Sequence, residues 1–183
     1  QAYEETADVL AHMDDLGIDC AVTAPHALVI GYMELTNRDA LEAIEEFPGR
    51  LYGYISIVPS EGLQAVRGQI DRYSKHPGFV GLKLLPGYHG SLLQAEYEYA
   101  LDFAHEARCP VLTHKWGEGP PMCEVRSHIE RRPGLRLIVA HQGGGSAEMT
   151  DELAELMKQH PSLMMELCGS LTNTYSVEDI LSL

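Results

Sequence analysis

The chain has 183 residues, 45% of them hydrophobic and 22% charged, the balance of one globular domain able to bury a sizeable core. Its 13 Lys and Arg against 27 Asp and Glu give a formal charge of −14, which repels phosphate backbones and anionic membrane surfaces, and no basic patch offsets it. The longest apolar runs are strand-sized, far below the roughly 20 residues of a membrane helix, so neither nucleic acid nor membrane is an expected partner.

The chain opens at Gln1 with no initiator methionine and no basic-then-apolar leader, so its true N-terminus is expected to lie outside it. Helical apolar periodicity at Tyr3 to Leu16 precedes a first strand-like run at Asp19 to Ala24. The alternation then continues: helix Asn37 to Phe47, strand Leu51 to Val58, helix Glu61 to His76 and strand Phe79 to Leu85. Helix Leu93 to Ala107, strand Pro110 to Lys115, helix Pro121 to Arg132, strand Leu135 to His141, helix Ala147 to His160 and strand Leu163 to Cys168 complete it. Ser60 and Ser146 sit where N-caps belong, Pro48-Gly49, Pro77-Gly78 and Pro133-Gly134 each stop a helix before a strand, and Ser176 with Asp179 would cap one more helix.

Such βαβα text implies a parallel sheet with helices outside it. The right-handed crossover rule leaves a barrel or an open doubly wound sheet. The repeat length matches the roughly 31 residues per unit of an eight-stranded barrel. The fold expected for residues 1–183 is therefore α/β, a single (β/α)8 TIM-barrel domain here incomplete, lacking the first and last strands. An open six-stranded sheet is the alternative.

Cys20, Cys109, Cys123 and Cys168 form no C-x-x-C pair, and two of them lie in apolar strand-like text, as buried reduced thiols do, which points to the cytoplasm. Arg126, Arg131, Arg132 and Arg136 read as a solvated face. No G-x-G-x-x-G follows an early strand, and neither a phosphate-binding loop nor a G-x-S-x-G elbow occurs, which removes the usual support for nucleotide binding and serine hydrolysis. His141-Gln142-Gly143-Gly144-Gly145 approaches a lipase oxyanion loop but carries an inserted glutamine.

Chemistry is expected at the C-terminal rim of the strands, where loops converge on one cavity. Two neighbouring strands end in histidine, at His114 and His141, and neutral imidazoles there bind a metal or move protons. A buried histidine bonded to a carbonyl is the plain alternative for each. Lys83, a lone cation in Val80-Gly81-Leu82-Lys83-Leu84-Leu85, either faces a polar cavity and holds an anionic substrate group or snorkels to solvent. Tyr88, His89 and Trp116 follow on rim loops as candidate substrate-pocket walls, or as ordinary loop packing. Glu166 is a carboxylate in apolar text that needs a buried partner, and His26 is a weaker rim candidate. His12, His76, His105, His128 and His160 lie on helices or helix ends, as solvated or capping residues.

Three segments together, Gly81-Leu82-Lys83-Leu84-Leu85-Pro86-Gly87-Tyr88-His89-Gly90, Cys109-Pro110-Val111-Leu112-Thr113-His114 and Ala140-His141-Gln142-Gly143-Gly144, resemble the metal-dependent amidohydrolase superfamily. The branch they resemble is that of the amidohydrolase-related TIM barrels, which includes aminocarboxymuconate-semialdehyde decarboxylase. The resemblance implies His114 as a metal ligand, His141 as the catalytic or water-orienting residue, and one divalent ion, zinc by expectation. The family's His-x-His pair and its final aspartate are not in this chain, so the chain reads as the middle of a longer enzyme.

The implied activity is metal-dependent hydrolysis of a small amide, lactone or ester. Non-oxidative decarboxylation of a small aromatic or unsaturated acid is the alternative, with Lys83 steadying the carboxylate; a degenerate barrel without activity is a third. A carbamylated Lys83 bridging two metals is a variant of the first. The partner expected is a small-molecule substrate, and the sequence leaves a homo-oligomer open.

Overall fold

In a computed structural model of the protein, residues 6–116 and 119–167 are described. Helix and strand alternate as α1 (Thr6–Asp15), β1 (Ala21–Thr23), α2 (Met33–Glu46), β2 (Leu51–Ile57), α3 (Leu63–Tyr73) and β3 (Phe79–Leu84). They continue as α4 (Ala95–Ala107), β4 (Val111–Thr113), α5 (Met122–Arg131), β5 (Leu137–Val139), α6 (Ala147–Gln159) and β6 (Leu163–Met165).

All strand pairs are parallel and the sheet order is β1-β2-β3-β4-β5-β6. A doubly wound sheet reverses its order at a switch point, and this sheet never does. Each right-handed crossover therefore advances the same way and lays its helix on the same face, which is the winding of a TIM-type barrel. The sheet also curls. In a flat sheet β2 and a residue just past β6 would lie about 19 Å apart, yet Tyr54 on β2 has its phenol pKa raised by burial and then by the carboxylate of Glu166. Among the described residues the architecture is a curled six-stranded half-barrel.

Strand alternation sorts the side chains into two faces. Ser56, Lys83, Leu112, Ile138 and Met164 occupy one register row across β2 to β6. The rows on either side hold Ile55, Ile57, Leu82, Leu84, Val111, Leu137, Val139 and Leu163, all buried beneath the helices. Lys83 and its row thus face the concave interior, and the aliphatic rows form the core with Val66, Ile70, Tyr97, Leu101, Val125, Ile129, Leu153 and Leu156 from the helices. Each such fully buried side chain contributes about 1.5–3 kcal/mol.

Several boundaries differ from the sequence reading. Helix α2 starts at Met33, not Asn37, because the Glu61 carboxylate accepts from the Met33 N–H (2.7 Å) and holds the first turn from outside. Asn37 is instead buried within the helix, where its amide pairs with the peptide N–H and C=O of Ser56 (2.7 and 3.2 Å) and with Gln69 (2.8 Å). Ser60 lies in a short 3-10 turn and caps nothing, Gly62 taking the N-cap of α3, whereas Ser146 does cap α6 by accepting from Met149 N–H.

Cys20 is exposed because it precedes the edge strand β1, and Cys109 is half-buried. Arg132 and His128 are buried, not solvated, since they form an ion-pair and hydrogen-bond cluster with Glu98 between α4 and α5. Cys168 and the Ser176–Asp179 cap lie outside the described residues. No helix among the described residues is long and apolar enough to cross a membrane.

Candidate active site

His114 lies two residues beyond Leu112 and so continues the concave face to the rim. By the same alternation His141, two beyond the buried Val139, would point to the helix side. It does not, because the backbone turns left-handed at His141 (φ 57°) and Gln142 (φ 56°), followed by positive φ at Gly143, Gly144 and Gly145. The turn brings His141 Nε2 to 3.2 Å from His114 Nδ1, with the rings 4.8 Å apart at 75°. Non-glycine residues in this region are strained and need support.

Glu166 supplies much of that support. Its carboxylate Oε2 accepts from His141 N–H (3.2 Å), its carbonyl accepts from Gln142 N–H (3.0 Å), and its own N–H donates to Val139 (2.9 Å). The partner inferred for this carboxylate from the sequence thus includes the backbone of a neighbouring strand end. Gly143 and Gly144 N–H donate to Ala140 and His141 carbonyls. With these two peptide N–H groups committed inside the turn, Gly143 and Gly144 do not present the open donors of an oxyanion hole.

Aromatic rings flank the imidazoles. Tyr88 meets His114 edge to face at 5.2 Å, and Trp116 meets His141 at 5.4 Å and 88°. A cavity of about 240 Å³ opens on the concave side, where Lys83, His114, His141 and Tyr88 meet His26 and Leu28 from the loop after β1. A second cavity, of about 300 Å³, lies between Tyr88 and Trp116 and shares His114 with the first. Of the residues singled out from the sequence, six therefore converge: His26, Lys83, Tyr88, His114, Trp116 and His141. His89 lines neither cavity. Its half-buried ring packs by the Leu28–Val29 turn, where burial lowers its pKa and the backbone of Val29 and Leu28 pulls it back up.

Burial pushes the His114 pKa down to about 4, helped by the positive charges of His141, Lys83 and Lys115. At neutral pH His114 is uncharged and has a lone pair to offer. Lys115 escaped the sequence reading, since it follows His114 as an ordinary strand-end lysine. It is only 2% exposed, points toward α6 with Nζ 3.8 Å from Met149 Sδ, and has its pKa lowered by burial against a raising effect of Glu152. Strand parity with the buried Thr113 was the one available signal.

The hydrogen bond between the imidazoles engages Nδ1 of His114 and leaves its Nε2 as the nitrogen able to bind a metal. One ligand is far from a site, however. Among the described residues no group of three or more His, Cys, Asp or Glu is placed to hold an ion, and a catalytic zinc needs three protein ligands. These residues alone do not fit a complete metal centre.

The sequence model of the family described as amidohydrolase matches residues 3–181. The chain belongs to the amidohydrolase family. No curated protein sequence matches it. Solved structures share the fold of this amidohydrolase: an uncharacterized TIM-barrel protein from Bordetella bronchiseptica superposes with a TM-score of 0.74 at 16% identity, over 95% of this chain and 63% of its own. The 5-carboxyvanillate decarboxylase of Novosphingobium aromaticivorans, which holds bound manganese, gives 0.61 at 18% identity over 96% and 67%. The 2,6-dihydroxybenzoate decarboxylase from Rhizobium gives 0.60 at 16% over 86% and 59%. The amidohydrolase chain thus spans under two thirds of the Bordetella protein and of the Rhizobium enzyme.

Proposed function

We propose that the protein is a carboxy-lyase that removes the carboxyl group of a small organic acid without oxidation. The observation that carries this reading is the shared cavity of Lys83, His114 and His141. Lys83 beside two imidazoles gives the cavity the hydrogen-bond donors that a small carboxylate needs. The cavity of about 240 Å³ suits a ring-sized acid better than a polymer. That two of the compared structures are decarboxylases of ring acids supports the same reading.

In this scheme Lys83 holds the carboxylate by a charge-assisted hydrogen bond. The bond between the carboxyl carbon and its neighbour breaks, the electron pair stays on the neighbour, and a proton that His141 takes up from water and delivers after its Nε2 parts from His114 replaces the departing CO₂. Before that step the hydrogen bond from His114 Nδ1 orients the His141 ring. Tyr88 and Trp116 wall the outer side. A divalent ion, zinc or manganese, would supply Lewis acidity beside His114.

Hydrolysis of a small amide, lactone or ester is the second reading, favoured by the paired imidazoles of His114 and His141, which can orient an attacking water at the cavity. Product analysis on a panel of small acids and esters separates the two. CO₂ release supports the lyase; a new acid group without CO₂ supports the hydrolase.

A further inference from the structure

The loop from Pro86 to Gln94 carries Tyr88 to the rim, and its deepest residue is Leu92, which is fully buried. Both polar groups of the Leu92 backbone are held by side chains of α5 one helical turn apart. Its N–H donates to Glu124 Oε2 (2.7 Å), and its carbonyl accepts from His128 Nε2 (3.1 Å). The second oxygen of Glu124 accepts from Ser91 Oγ (2.9 Å).

His128 can only donate at Nε2. Its Nδ1 faces two guanidinium donors, Arg132 (3.0 Å) and Arg131 (3.2 Å), and must therefore accept from them. Those arginines are in turn held by Glu98 and Asp102 on α4. The imidazole is fully buried, so its tautomer and its orientation are both fixed.

The remaining bonds pass this constraint along the loop. Gln94 Nε2 donates to the carbonyls of His89 (2.7 Å) and Ser91 (3.0 Å), His89 N–H donates to Leu85 (3.1 Å), and Gly87 N–H donates to Gly90 (3.0 Å). The tip then abuts the loop that precedes α5: a Cβ on Gly119 would lie 3.2 Å from Gly87 Cα, so the two backbones leave no slack. Between these anchors Tyr88 is exposed, yet its ring is held 5.2 Å from His114.

We propose that Glu124 and His128, by bracketing the Leu92 peptide, are positioning residues that set Tyr88 against His114 and so define the aromatic wall of the substrate pocket. This rests on the reading of Tyr88 as a pocket wall, but the contact can be measured without any turnover. Neither residue touches the cavities; both act through the loop.

The test is NMR of the histidine ring protons in the full chain, with His114 assigned by its loss in His114→Asn and Tyr88→Ala as the reference for a missing ring. In Glu124→Ala and in His128→Asn, the Tyr88–His114 cross-peak should disappear and the His114 resonance should move toward its Tyr88→Ala position. Asp102→Asn, which weakens the same ion-pair cluster without touching Leu92, should leave both in place. Should His128→Asn fail to fold, Glu124→Ala decides alone. A folded Glu124→Ala protein that keeps the cross-peak and the wild-type shift overturns the proposal, while leaving the carboxy-lyase reading untouched. Once a substrate is known, the same variants should raise KM more than they lower kcat.

Discussion

His141 Nε2 lies 3.2 Å from His114 Nδ1, and the contact exists only because the backbone at His141 turns left-handed. In the metal-free protein the burial of His114, reinforced by the charges of His141, Lys83 and Lys115, has a pH signature. The folded His114 value of about 4 lies below its ordinary 6.5, so the unfolded chain binds more protons between those values. The contribution to stability is fully present above about pH 6.5 and is lost as pH falls toward 4. Urea unfolding of wild type and His114→Asn across this range should show the advantage of the wild type shrinking with acidification; a constant difference would contradict it.

Lys83 should matter for binding more than for the chemical step. A hydrogen bond to a charged group is worth about 1.5–3 kcal/mol, so Lys83→Met should lower kcat/KM for an acid substrate by roughly 10- to 100-fold, mostly through KM. Steady-state kinetics on an acid and on its neutral amide would show whether the loss follows the carboxylate.

Glu166 holds the strained turn, and removing it should release His141. Glu166→Ala should cost about 1–3 kcal/mol through the peptide group left unsatisfied, and Glu166→Gln, which keeps an acceptor, should cost less. Trp116 is the chain's one tryptophan and sits 5.4 Å from His141, so its fluorescence should change in the alanine variant and stay near wild type in the glutamine variant.

Gly81 has no room for a side chain, since a Cβ would fall 2.4 Å from the Pro110 carbonyl oxygen. Because that atom is backbone, Gly81→Ala should force β3 and β4 apart and destabilise by about 1–3 kcal/mol or more. A thermal melt checks this, and an unchanged midpoint would contradict the packing described.

The repeating pattern of β-branched runs and Pro-Gly stops made the six strands and most helix limits legible, because each follows from local periodicity and breaker chemistry. The convergence of His114 with His141 was legible as two strand ends on one rim, but the turn that re-aims His141 was not, since its left-handed φ contradicts alternation. Lys115 carries no signal beyond its place at a strand end, and His128 and Arg132 were misjudged for one reason. A charged or polar residue read by type alone looks solvated, and only tertiary partners such as Glu98 for Arg132 make its burial tolerable. His89 was drawn toward the pocket by its place on the Tyr88 loop, whereas the ring packs under the turn at Leu28–Val29.

The most direct measurement is release of ¹³CO₂ from carboxyl-labelled small acids by the metal-supplemented full-length protein and by its His141→Asn variant. At least one acid should lose labelled CO₂ with the wild type, and that release should vanish in the variant while circular dichroism shows an intact fold. Release unaffected by His141→Asn, or no release from any acid by a folded protein with metal bound, would contradict the assignment of proton transfer to the His114–His141 pair.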